Sequence, residues 1–206
     1  CRGTVASSGI KLMLSFKLAF AFCFLSSLIT PFPLIEEMVK SLTSLSLSPT
    51  QERAREVISA AMEVGVNTLT LYAFSLENWQ RPDDEVSTLM KLLEFYLTRE
   101  FNELIRRGIV FRTIGEVWRL PASVQALLKN MQEKSSRNKG MTLVLALSYS
   151  GRNEIIRTVR KIISLGVKEE DVTEEYFGSL LDTAGMPVPD LIVRSSGEKR
   201  ISNFLL

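Results

Sequence analysis

Ser75, Glu77, Asn78, Trp79 and Arg81 place a hydroxyl, a carboxylate, an amide, an indole and a guanidinium within one short stretch. They follow directly on Thr68-Leu69-Thr70-Leu71-Tyr72-Ala73-Phe74, whose apolar alternation predicts a strand. Such a cluster is costly in a core. It is natural at the carboxyl end of a parallel strand, where open α/β sheets bind ligands. The plain alternative is a polar loop that caps the next helix, but one short turn rarely needs Ser, Asn, Trp and Arg together.

Three further strand ends carry similar chemistry: Ile114-Gly115-Glu116, Ser148-Tyr149-Ser150-Gly151-Arg152-Asn153, and Arg194-Ser195-Ser196-Gly197-Glu198-Lys199-Arg200-Ile201-Ser202-Asn203. In a parallel sheet all of them emerge on one edge, which brings Arg81, Arg152, Arg194 and Arg200 to the same side. Guanidinium forks suit phosphate oxygens, and Gly and Ser turns present backbone N–H groups to anions. One such Arg is explained by a surface ion pair. Several at successive strand ends point to a polyanionic ligand, and a diphosphate fits. No Walker A or Rossmann glycine pattern is present, so nucleoside triphosphates and dinucleotides lose ground.

Composition narrows the chemistry further. The 206 residues contain no histidine, which excludes Ser-His-Asp and Cys-His machinery and imidazole metal sites in this chain. Both cysteines, Cys1 and Cys23, lie near the start, so the rest has neither a disulfide framework nor a thiolate metal site. Any bound metal would be a hard cation on oxygen ligands. With a net charge of +2, charge alone argues for neither nucleic acid nor a membrane surface, and no nucleic-acid partner is expected.

The elements that must position these residues are regularly punctuated after residue 48. Ser48-Pro49-Thr50-Gln51 predicts a capped helix start, and Ala54, Val57, Ile58, Ala61 and Met62 repeat at helical spacing up to Gly65. A long amphipathic stripe runs from Val86 to Ile105 and closes at Gly108. Strands are predicted over 109–114, 141–147 and 190–194. Helices are predicted around Val124–Met131 and Ile155–Ile163, with a short one within Val172–Leu181. Strand and helix alternate, so the fold class is α/β, a mostly parallel central sheet flanked by helices.

Residues 1–48 stand apart, as an atypical N-terminal segment before a domain over 49–206. No acid precedes Glu36, Ser is frequent, and Lys11 and Lys17 flank the apolar run Leu18–Leu25. The segment reads as a targeting leader, an anchor or non-native sequence. It is expected to stay out of the core of the sheet, which leaves one sheet edge exposed.

Tyr72-Ala73-Phe74-Ser75-Leu76-Glu77-Asn78-Trp79-Gln80-Arg81-Pro82 resembles the signature of the cis-prenyltransferases, the undecaprenyl and dehydrodolichyl diphosphate synthases. The other three strand-end blocks match in the expected order, so the resemblance covers roughly residues 51 to 206. It implies repeated condensation of isopentenyl diphosphate onto an allylic diphosphate, with the polyprenyl product growing in a hydrophobic tunnel. The helices near Ala54–Met62 and Glu85–Arg107 would line that tunnel, although a plain core role suits their apolar residues equally well. By the same resemblance Asn78 and Ser75 are catalytic, handling proton and diphosphate. Phe74, Glu77, Trp79 and Arg81 bind on the allylic side, and Arg194, Arg200 and Ser202 hold isopentenyl diphosphate.

Mg2+ is the cofactor the family implies, but the family's Asp-Gly-Asn-Gly-Arg-Trp loop and its acidic C-terminal ligand have no counterpart, so no metal ligand is assigned. The first and last strands of the family fold are expected to be missing, and the chain as it stands is expected to be inactive. A catalytic lineage is favoured over a non-catalytic subunit of a heteromeric synthase, because Asn78 and Trp79 are retained. Family members pair as homodimers or with a second subunit. Membrane association is compatible, and the location is open between the cytoplasmic side of the endoplasmic reticulum and a plastid.

Overall fold

The computed structural model describes residues 11–15, 50–194 and 203–205. Strand β1 is Lys11–Ser15, helix α1 Thr50–Glu63 and strand β2 Thr68–Ser75. A short 3-10 turn, Leu76–Gln80, leads to the long helix α2, Asp83–Arg106. Strand β3 is Val110–Ile114, helix α3 Ala122–Ser135 and strand β4 Thr142–Tyr149. Helix α4 is Gly151–Ser164, helix α5 Glu174–Ser179 and strand β5 Leu191–Arg194. The Ser48 cap expected for α1 lies outside the described residues.

The sheet has the order β3-β4-β2-β1-β5, and every described pairing is parallel. The expected parallel sheet with flanking helices is thus present. The expectation that the first strand is missing is corrected. Lys11–Ser15 lies inside the sheet, with Leu14 opposite Leu71 on one side and Val193 on the other. Leu12-Met13-Leu14 has the continuous apolar composition of a strand within a parallel sheet, and it fills the hydrogen-bonding edge that β2 would otherwise leave open.

Local chemistry sets the helix limits. Pro82 precedes α2, and Asp83, Asp84 and Glu85 in its first turn meet the positive end of the helix dipole, while Arg106 lies in the last turn. Gly65 after α1 and Gly108 after α2 take φ of 77° and 73°, a left-handed conformation that a Cβ would strain. The main core joins α1 (Val57, Ala61), α2 (Met90, Leu97) and α3 (Val124, Leu128) to Leu69, Leu143 and Leu145 of the sheet. On the opposite face Tyr72, Ile114, Val144, Ala146 and Tyr149 close on Phe204. Among the described residues no helix is long and apolar enough to cross a membrane.

Candidate functional site

Two irregularities at the carboxyl ends of β2 and β4 build the site. Tyr72 pairs with Ala146, yet Phe74 pairs with Leu147, so Ala73 is an extra residue in β2. This bulge breaks the alternation and brings Phe74 onto the face already held by Leu69 and Leu71. In β4, Ser148 has a φ of 51°, uncommon for a residue with a side chain. Beside it, Tyr149 sits on the opposite face with Tyr72 and Phe204. Gly115, with a φ of 103°, runs so close to this turn that a Cβ would lie 2.2 Å from the Leu147 carbonyl oxygen.

The turn after β2 is held by its own amide. The Ser75 N–H donates to Asn78 Oδ1 at 2.8 Å and the Ser75 hydroxyl donates to the same atom at 3.2 Å. Asn78 Oδ1 is thereby occupied, and its Nδ2 is left as the donor. Trp79 Nε1–H donates to Ser148 Oγ at 2.8 Å, its ring meets Phe74 edge-on at 5.1 Å, and the Arg119 guanidinium lies 5.2 Å from the ring centre. The strained turn of β4 thus fixes the indole.

A cavity of about 690 Å³ lies between the sheet and helices α1 and α2. Its mouth carries Ser75, Glu77, Asn78, Arg81, Arg152 and Asn203. Its body is apolar, with Ile58 from α1, Leu89, Met90, Leu93 and Leu97 from α2, and Leu71, Leu145 and Leu147 from the sheet. At the other end of α2 the wall becomes charged: Arg55 donates to both carboxylate oxygens of Glu100, at 3.0 and 2.6 Å, and Arg107 donates to Ser59 Oγ at 3.0 Å.

The cavity can take a long apolar body whose anionic head remains at the mouth. Arg81 makes only an exposed 3.4 Å contact with Glu85, an interaction of small worth, and the Arg152 side chain has no hydrogen bond or ion pair among the described residues. Both guanidiniums are therefore available to an anion.

The backbone donors are a different matter. The expectation that the strand-end turns offer their N–H groups to an anion is corrected at three positions. Gly151 N–H donates to the Asn203 carbonyl at 2.7 Å, Arg152 N–H to Asn203 Oδ1 at 2.9 Å, and Gly115 N–H to Asp182 Oδ2 at 2.9 Å. These donors are consumed in joining loops to one another.

Behind the mouth lies a polar network. Tyr72 donates to the Tyr149 carbonyl at 2.9 Å, and Tyr149 donates to Glu154 Oε2 at 2.5 Å. Glu154 Oε1 accepts the Asp182 N–H at 2.7 Å, and Asp182 receives two hydrogen bonds from Arg157, at 3.2 and 2.6 Å. Burial pushes both tyrosine hydroxyls well above the usual phenol range, with the charge of Glu77 adding for Tyr72 and the Glu154 hydrogen bond adding for Tyr149, so both remain donors. Burial also raises the Glu154 carboxyl; the Tyr149 hydrogen bond opposes the rise and the Asp182 charge adds to it. Burial alone would lower Arg157, but the hydrogen bond and charge of Asp182 hold it above its ordinary value.

Of the residues singled out in the sequence, Phe74, Ser75, Glu77, Asn78 and Arg81 line this one cavity. Trp79 stands beside them, packed against Phe74 and the core. Arg194 ends β5, opposite Ser15, and is separated from β2 by β1. Arg200 and Ser202 lie outside the described residues. Sequence reasoning gave no role to Ser148, Arg119 or Asn203. The first two act on Trp79 from distant positions, which no local pattern reveals, whereas Asn203 stood in a quoted block as a polar residue beside Phe204.

A parallel sheet, an apolar cavity under two helices, and Ser, Asn and two arginines at the carboxyl-end mouth make up the candidate site. The chain belongs to the undecaprenyl diphosphate synthase family, whose Prenyltransf family model matches residues 43–206. It is 46% identical over 159 residues to an isoprenyl transferase of Clostridium tetani, an alignment that takes in 75% of this chain and 62% of that protein. With an isoprenyl transferase of Aquifex pyrophilus it shares 44% identity over 155 residues, which is 75% of this chain and 66% of the relative. The chain thus spans less than two thirds of the length of these relatives. Among solved structures, lavandulyl diphosphate synthase from Lavandula x intermedia, in complex with dimethylallyl diphosphate, superposes with a TM-score of 0.74 at 28% identity, over 97% of this chain and 82% of that one.

Proposed function

We propose that this protein elongates a prenyl chain in cis, condensing isopentenyl diphosphate with an allylic diphosphate whose apolar tail occupies the cavity. One observation carries the reading: a single apolar cavity has its polar mouth formed by Asn78, Arg81 and Arg152. In the condensation the allylic C–O bond breaks, a C–C bond forms to the isopentenyl double bond, and a proton leaves the new unit with release of inorganic diphosphate. Charge accumulates on the departing diphosphate, so fixed donors aimed at it lower the barrier.

Asn78 suits that task because Ser75 occupies its Oδ1 and leaves Nδ2 as the donor. Arg81 and Arg152 supply guanidinium donors at the same mouth. Phe74 and Trp79 offer aromatic faces beside the allylic carbon as positive charge develops there. Arg194, Arg200 and Ser202 are assigned to isopentenyl diphosphate, and residues 49–206 to the domain that carries the reaction. A dimer, with a second copy or a related subunit, is the working assembly in this reading.

Magnesium, which the family implies, would assist diphosphate departure when bound. Among the described residues no group of three or more acidic side chains is arranged to hold a metal ion, and the carboxylate at the mouth, Glu77, accepts from Asn203. The described residues do not make a site for it, and no step is assigned to it.

The test is incorporation of labelled isopentenyl diphosphate onto an allylic primer by the full-length protein. Asn78→Ala should lower kcat by about two to three orders of magnitude, the scale of losing one preorganised donor. Incorporation by Asn78→Ala at the wild-type rate, or trans double bonds in the product, would refute the reading.

A further inference from the structure

The start of α4 has no cap of its own: Ser150 stands at the N-cap position and its side chain caps nothing. The donors left open there are met by a residue far along the chain. The Asn203 carbonyl accepts from Gly151 N–H, and Asn203 Oδ1 accepts from Arg152 N–H. Its Nδ2 donates to Ser150 Oγ and, at 3.1 Å, to Glu77 Oε1 in the turn after β2. Asn203 has a φ of 61°, which Asn tolerates better than other residues with side chains. Phe204, 1% exposed, stacks on Tyr72 at 4.4 Å and so holds Asn203 in register.

We infer that Asn203 is a positioning residue: it ties the turn after β2 to the N-terminus of α4, so that Asn78 and Arg81 face Arg152 across one mouth. The inference rests on the condensation reading, because it supposes that this mouth holds a diphosphate. It adds a residue that contacts neither apolar tail nor reacting carbon. Its four polar contacts add to the Trp79–Ser148 hydrogen bond in joining the two loops, and both loops carry a guanidinium. An amide is required, since one end must accept from Arg152 N–H while the other donates to a carboxylate. Aspartate would set two carboxylates against each other at Glu77.

The test is a donor–acceptor swap, read as calorimetric affinity for an allylic diphosphate, the ligand this mouth is assigned. Asn203→Asp should weaken binding about tenfold, the scale of coupling within one hydrogen-bonded network. Glu77→Gln restores a donor opposite that carboxylate, so the double variant Glu77→Gln with Asn203→Asp should bind within about threefold of Glu77→Gln alone. A role confined to stability would lower the melting temperature of each variant without this rescue. Should Asn203→Asp fail to fold, Glu77→Ala against Glu77→Gln breaks the same link from the other side and should show the same order of affinities. Wild-type affinity in Asn203→Asp, or additive losses in the double variant, would overturn the positioning role alone. No binding by the wild-type protein would overturn the condensation reading and this inference with it.

Discussion

Leu71, Leu145 and Leu147 look toward α1 and α2 across a cavity of about 690 Å³, while Tyr72, Ala146 and Tyr149, on the same strands, close against Phe204. On the closed face three rings pack at short range, Phe204 stacked on Tyr72 at 4.4 Å and edge-on to Tyr149 at 6.0 Å. On the open face the side chains that line the cavity give up contacts that a filled interior would supply. The difference teaches where this domain keeps its stability and where it leaves room for a ligand.

The closed face should be the easier one to break. Phe204→Ala removes a fully buried ring and should cost about 3–5 kcal/mol in a urea titration. Gly115→Ala strikes the seam between the faces, where a Cβ meets the Leu147 carbonyl at 2.2 Å. It should cost about 3 kcal/mol, from left-handed strain plus displacement of the β4 turn. Leu93→Ala, on the cavity wall, removes a half-buried side chain and should cost only about 1–2 kcal/mol. A loss at Leu93 equal to that at Phe204 would mean the cavity closes in solution and the contrast is void.

The smallest effect sharpens the picture behind the closed face. Because the Glu154 carboxyl titrates higher folded than unfolded, its contribution to stability is full below the unfolded pKa and is lost as pH rises through the folded one. Glu154→Gln keeps an acceptor for the Asp182 N–H and should change stability near neutral pH by less than about 1 kcal/mol, while flattening that decline. Melting temperatures measured from about pH 4 to 8, parallel for wild type and variant, would contradict the assignment.

The helices and four of the strands were legible because Pro, Gly and acidic first turns mark their ends and apolar residues repeat at helical spacing. The cluster Ser75 to Arg81 was legible because it follows its strand without a break. Strand β1 was not. Lys11–Ser15 runs into the longer apolar stretch Leu18–Leu25 with no turn signal between them, so the pair reads as one leader-like segment. The bulge at Ala73 was equally hidden, since Thr68–Phe74 alternates without a flaw on paper and only pairing with β4 shows the extra residue. The joining role of Asn203 depends on contacts with residues about fifty and more than a hundred positions away, beyond any local pattern.

The place of β1 has a kinetic consequence. Leu12 pairs with Leu69 on one side and with Leu191 on the other, so the sheet is stitched together by residues drawn from opposite ends of the described chain. Closing so long a loop is entropically costly, and non-local parallel pairing of this kind slows folding. During synthesis β1 can dock on β2 early, but its other edge has no partner until β5, about 180 residues further on, has been made. Among the described strands, the one that ends in Arg194 is therefore the last to be secured.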